Sequence, residues 1–217
     1  MSPVIKRCQE TVSWRRVDLS APYLSRRRCL RAAVAITHDD FYTPASNASW
    51  FVMSILSPAA PHDFAAIASL NVEAYREFSS HMTAEQWHGM ETSLRAVEAR
   101  AQFTLFLVIR DRGTVVGSVG YCPAGKGDRE IFPPDWAAML LLAVAPTHRR
   151  HGLARELALV CIERARQDSA RVIGLFTSEL MLAAQKLYES LGFRRESELP
   201  SRFGLRYWRY KLQLRAE

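Results

Sequence analysis

No stretch of about 18 consecutive apolar residues occurs in this chain, which argues against a membrane-spanning helix. No pair of its four cysteines, Cys8, Cys29, Cys122 and Cys161, has Cys-x-x-Cys spacing, and no cysteine–histidine cluster offers zinc a ligand set. The expectation is a protein without a metal site in a reducing, cytoplasmic setting, with Cys122 and Cys161 as small core residues. The Gly-Lys-Ser/Thr of a P-loop is absent. So is a Gly-x-Gly-x-x-Gly with an acidic residue downstream, which makes ATP and NAD poor candidate ligands. No internal repeat is visible. A strongly basic body is missing too. The 29 Lys/Arg exceed the 22 Asp/Glu by seven, but residues 1–52 hold eight of the former and four of the latter. The remaining chain is only mildly basic, which argues against a nucleic-acid-binding face.

What is present suits one good-sized domain: 217 residues, 48% apolar and 24% charged. Residues 1–52 stand apart because they show no sustained helical or strand period. Ser25-Arg26-Arg27-Arg28-Cys29-Leu30-Arg31 has the look of a twin-arginine export signal. The apolar segment after it, Ala32 to Ile36, is too short for one and runs into His38-Asp39-Asp40. The reading is a flexible N-terminal extension over 1–52 and a single domain over 53–217, with Met53 as a candidate natural start.

Helical spacing begins in the stretch 63–78, at Phe64, Ile67, Ala68, Tyr75 and Phe78. Thr83 and Gln86 form a capping-box pattern, and Trp87, Met90, Leu94 and Val97 continue on one face to about Arg100. Residues 103–110 and 114–121 read as a hairpin around Asp111-Arg112-Gly113. The segment 123–135, rich in Gly, Pro and charge, reads as an exposed loop. Residues 137–145 are apolar without alternation, as in a strand buried on both faces. A helix over 152–167, a strand over 172–177, a helix ended by Gly192, a strand over 193–199 and an alternating strand over 207–214 complete the order. That order, αα, ββ, β-α-β-α, ββ, predicts an α/β (mixed α+β) fold. Its central mixed sheet has about six to seven strands, flanked by helices on both faces.

One stretch carries chemistry. Residues 140–156, LLLAVAPTHRRHGLARE, join the central strand to a helix start. Such a start leaves backbone N–H groups without partners and carries partial positive charge, which together hold an anion. Gly152 and the small Ala154 leave the backbone open to a ligand, and Arg149 and Arg150 add full charge at the rim. A pyrophosphate suits this arrangement. Arg-x-x-Gly-x-Ala alone is a weak motif; the strand before it and the amphipathic helix after it strengthen it.

The next helix closes with Ala184-Gln185-Lys186-Leu187-Tyr188-Glu189-Ser190-Leu191-Gly192-Phe193. Together these segments resemble the GNAT superfamily of N-acetyltransferases. Arg149 to Ala154 match the family's Arg/Gln-x-x-Gly-x-Gly/Ala loop, and Ala184 to Phe193 match its Ala-x-x-Leu/Phe-Tyr-x-x-x-Gly-Phe. The resemblance covers roughly residues 54–214. One departure is Met181, which stands where many members have asparagine.

The resemblance implies acetyl transfer from acetyl-CoA to a primary amine of a small molecule, amino acid or peptide, by direct attack in a ternary complex. It implies that Leu142, Ala143 and Val144 pair with the pantetheine arm through their main chains. It implies that Arg149, Arg150, His151, Gly152, Leu153 and Ala154 form the pyrophosphate loop, chiefly through backbone N–H groups. Tyr188 is the implied acid for the departing thiolate. No base stands out: Glu130 and Asp135 are weak candidates, and Glu73, Glu77, His81 and His88 lie near the expected acceptor side. The competing reading is a non-catalytic acyl-CoA-binding sensor.

Overall fold

The structure is a computed structural model and describes residues 55–214. The extension 1–52, the candidate start Met53 and the cysteines Cys8 and Cys29 lie outside the described residues. The seven strands are β1 (Ile55–Pro58), β2 (Leu105–Asp111), β3 (Thr114–Cys122), β4 (Trp136–Val144), β5 (Val172–Ser178), β6 (Arg194–Arg202) and β7 (Leu205–Gln213). The helices are α1 (Phe64–Tyr75), α2 (Ala84–Arg95), α3 (Val97–Arg100), α4 (Leu153–Gln167) and α5 (Leu182–Ser190). Strand order in the single described sheet is β1-β2-β3-β4-β5-β7-β6, and only β4 and β5 run parallel.

Successive strand residues point to opposite faces, so β4 sorts the core. Ala137 and Met139 pack with Ile173, Leu175, Leu157 and Cys161 of α4, and Tyr188 of α5. Trp136 and Ala138 pack on the other face with Val72 of α1, Met90 and Leu94 of α2, and Tyr207. Helices therefore cover both faces, as the element order requires. Cys122 and Cys161 are free and buried, in agreement with the core reading.

The capping box read from Thr83 and Gln86 is present: the Thr83 hydroxyl accepts from Gln86 N–H at 3.2 Å, and Gln86 Oε1 accepts from Thr83 N–H at 2.8 Å. Three differences have physical reasons. First, β1 has no counterpart in the sequence reading, because four residues ending in proline are too short to show a period. Second, the stretch between the strands read over 193–199 and 207–214 is a tight hairpin. Arg202 pairs with Leu205, and the two turn residues Phe203 and Gly204 have φ of 52° and 75°. Gly204 is needed twice over, for its φ and because a Cβ there would run into the Gln86 side chain. Third, β7 is not polar on one face. Tyr207 is buried opposite Trp208 and Tyr210, and the Arg209 guanidinium lies 5.3 Å from the Trp136 ring.

Asp63 anchors the start of α1. Its carboxylate accepts from Ala60 N–H at 2.7 Å and pairs with Arg110 of β2 at 2.6 Å, while almost fully buried. Burial pushes its pKa up, but the Ala60 hydrogen bond and the Arg110 guanidinium outweigh it and hold the group below its usual value. A depressed folded-state pKa contributes stability that is present above the unfolded pKa, about 4, and lost as pH falls through the folded one. Asp63→Asn should lower unfolding free energy by about 1–3 kcal/mol at pH 7, the cost of leaving a charged group unpaired, and by less near pH 3. Urea titrations at the two pH values check this.

Candidate active site

β4 and β5 pair only at Trp136–Val172, Ala137–Ile173 and Ala138–Gly174. Past Ala138 the two strands part, while β5 stays paired to β7 as far as Ser178. The divergence coincides with a bulge. Between Ser118 and Gly120 of β3 the partner on β4 moves from Ala143 to Leu140, so β4 holds one extra residue. Leu141 at the bulge has φ of 51°, an uncommon conformation for leucine. Leu140, Leu141 and Leu142 are only half-buried. The expectation of a strand buried on both faces therefore fails at its middle, because there its neighbour is a cavity and not a strand.

That cavity has a volume of about 840 Å³. It runs through the gap between the sheet halves, with Met139 to Val144 on one side and Phe176 and Thr177 on the other. Gly152, Leu153 and Ala154 border it at the start of α4. Met181 to Ala184 border it at the start of α5, and Tyr188 in its last turn. Tyr75 of α1, Phe78 of the 3-10 turn Arg76–His81, and Met90 and Leu94 of α2 also border it.

The α4 start is built to present N–H groups. Gly152 is its N-cap with φ of 83°, and no side chain caps the helix. A Cβ on Gly152 would meet nothing within 4 Å, so glycine is required here by the left-handed backbone and not by protein crowding. Arg150 before it is also left-handed, with φ of 66°. The arginines divide. Arg149 donates through Nη1 to Glu77 at 2.9 Å and through Nη2 to the Ala74 carbonyl at 2.8 Å, tying the loop to the end of α1. Arg150 borders the cavity and has no described ion pair. Arg155, not singled out in the sequence, also borders it and donates to Ser190 at 3.1 Å. His151 is exposed and outside the cavity wall, while His148 is held by Asp111 at 3.2 Å.

Tyr188 is buried, and its ring meets Phe193 edge-on with centroids 6.0 Å apart. Burial, and then the nearby Tyr75 and Cys161, raise its pKa well above that of a free phenol. Tyr75 is likewise pushed up, to about 12, by burial. Tyr207 is raised too and completes a group of three protonated phenols on the cavity wall. Neither Glu130 nor Asp135 borders the cavity. Both sit in the 123–135 loop, whose one acidic residue on the cavity border is Asp128; it is exposed, and its carboxylate accepts from Glu130 N–H at 3.0 Å. Of Glu73, Glu77, His81 and His88, only Glu77 lines the cavity, and it is paired with Arg149.

Comparison with known proteins decides the family. The model described as the Acetyltransferase (GNAT) family matches residues 64–193. The chain belongs to the GNAT family. Among curated GNAT relatives, a probable N-acetyltransferase camello of Xenopus laevis is 35% identical over 92 residues, 42% of this chain and 39% of that protein. An N-acetylaspartate synthetase of Rattus norvegicus is 36% identical over 119 residues, 48% of this chain and 38% of that protein. The matches thus span about two fifths to one half of the relatives' lengths. A Thermoplasma acidophilum N-acetyltransferase solved with coenzyme A shares the GNAT fold, with a TM-score of 0.60, 14% identity and coverage of 74% of this chain and 98% of that one. A Salmonella typhimurium acetyltransferase solved with acetyl-CoA has a TM-score of 0.56, 24% identity and coverage of 76% and 95%.

Proposed function

We propose that this chain is an N-acetyltransferase that moves an acetyl group from acetyl-CoA to a primary amine by direct attack in a ternary complex. One observation supports it most: a single cavity joins a strand edge without a partner, an uncapped helix start and a buried phenol. The donor fits this arrangement. A strand edge past Ala138 suits an amide-containing arm, and the N–H groups of 152–154 suit a pyrophosphate. Arg150 and Arg155 add positive charge at the rim, whereas Arg149 is engaged within the protein. A cytoplasmic setting accords with the free thiols of Cys122 and Cys161.

The chemistry then follows from the side chains. The amine must lose a proton and the departing thiolate must gain one. Tyr188 supplies the second need. Burial keeps the Tyr188 phenol protonated, so it carries a proton to give as charge grows on the sulfur.

Asp128 is the proposed base, acting through water because it is exposed. Asp128→Asn should lower kcat/KM about tenfold at pH 7, a modest share of what general bases contribute. A variant with unchanged kcat/KM would remove it from that role. Thiol release from acetyl-CoA with a pooled amine panel tests the function itself. Tight acetyl-CoA binding with no turnover across the panel would favour the sensor reading.

A further inference from the structure

The wall of the cavity on the α2 face carries two arginines that the donor site does not use. Arg100, at the end of α3, and Arg202, at the end of β6, both line it. The described arginine–carboxylate pairs involve Arg95, Arg110, Arg149, Arg164, Arg166, Arg206 and Arg209, and leave these two out.

Both arginines are half-buried, and hydrogen bonds fix the Arg100 guanidinium. Arg100 donates through Nη1 to the carbonyls of Ser93 at 2.6 Å and Ala96 at 3.0 Å, and through Nη2 to Ser93 Oγ at 2.9 Å. Two of its five N–H groups, one on Nε and one on Nη2, remain uncommitted. The Arg202 guanidinium lies 5.7 Å from the Phe176 ring and 6.0 Å from the Phe203 ring. Its backbone is fixed by the two-residue turn, whose Phe203 packs on Gly89 of α2.

Burial and the proximity of Arg202 both disfavour the charge on Arg100. Two like charges on one partly dry wall repel each other unless an anion bridges them. The surrounding side chains Phe176, Phe203, Met90 and Leu94 supply no anion. Asp128 lines the same cavity without pairing to either arginine, and Glu77 is taken by Arg149.

We propose that Arg100 and Arg202 bind a carboxylate of the acceptor, so that this chain acetylates small amines of the amino-acid type. The inference rests on the acetyltransferase reading above and deepens it. The arginines hold the carboxylate by charge-assisted hydrogen bonds. The donor's phosphates are the other possible source of an anion. The α4 start borders the cavity from the opposite face, so the two sources call on different residues.

The test uses matched acceptors, L-amino acids and their carboxamides, compared per unprotonated amine with the full chain and acetyl-CoA. The carboxylate member should have the higher kcat/KM by about 10- to 100-fold, the range for hydrogen bonds to a charged group. Arg202→Gln, and Arg100→Lys as a milder change, should bring that ratio towards one through KM. Acetyl-CoA affinity, measured by calorimetry on each variant, reports an intact fold. A wild-type ratio near one or inverted overturns the inference and leaves the acetyltransferase reading standing. A high ratio untouched by both variants overturns the assignment to these arginines. So does a loss of acetyl-CoA affinity with selectivity unchanged, which places the phosphates there. If neither member is turned over, the pooled amine panel, and not this pair, judges the enzyme reading. Calorimetric binding of the pair to the acetyl-CoA complex then decides: a carboxylate preference supports the arginine site, and none overturns it.

Discussion

Replacing Tyr188 by phenylalanine should lower kcat about 100-fold, the low end of what a positioned general acid contributes. The ring is retained, so the edge-on contact with Phe193 and the apolar burial of the α5 turn persist. Acetyl-CoA affinity should therefore change by less than about twofold, and the melting temperature should hardly move. This separates chemistry from packing. A tyrosine that only filled the core would show the reverse, with kcat intact. A second signature comes from pH. Burial keeps the Tyr188 phenol protonated across the neutral range, so kcat should show no falling limb from it between about pH 7 and 10. Steady-state kinetics of both proteins across that range carry the whole test. A kcat for Tyr188→Phe within twofold of the parent would refute the assignment.

The second large effect belongs to Gly152. Valine there should weaken acetyl-CoA binding about 100-fold, and the reason has two parts. The backbone at φ of 83° is strained for any residue with a Cβ, by about 1–2 kcal/mol, so the α4 start shifts to relieve it. The shift re-aims the N–H groups of 152–154, and losing two hydrogen bonds to a charged ligand at about 1.5 kcal/mol each gives the predicted factor. A Cβ at 152 meets no protein atom, so crowding within the fold contributes nothing to the loss. Alanine should fall between glycine and valine. Calorimetry of the three proteins checks the order. Equal affinities would mean that the α4 start does not hold the pyrophosphate.

Much of this arrangement was legible in the sequence because its determinants are local. The capping box at Thr83, the glycine at the α4 start, the apolar β4 and the Leu-Tyr-x-x-x-Gly-Phe turn are each written within a few residues. What could not be read depends on distant partners. Arg149 looks like an anion ligand in its own stretch, yet its guanidinium is taken by Glu77 and Ala74, more than 70 residues earlier. Asp128, Glu130 and Asp135 are alike as loop carboxylates, and only the path of the loop brings the first of them to the cavity border. Tyr207 sits on what alternation marks as a polar face, because the parted sheet gives that face a cavity to line. The Arg100–Arg202 pair joins the end of a four-residue helix to a hairpin tip, and no sequence period connects them. β1 left no trace because edge strands that short carry no pattern.

The central claim is that acetyl-CoA lies in the gap between β4 and β5 with its phosphates at the start of α4. Hydrogen–deuterium exchange with and without saturating acetyl-CoA tests it most directly. The account predicts that amides in 139–144 and 152–155 become protected on binding, by about tenfold or more in exchange rate. Protection elsewhere, with both segments exchanging as in the free protein, would contradict it.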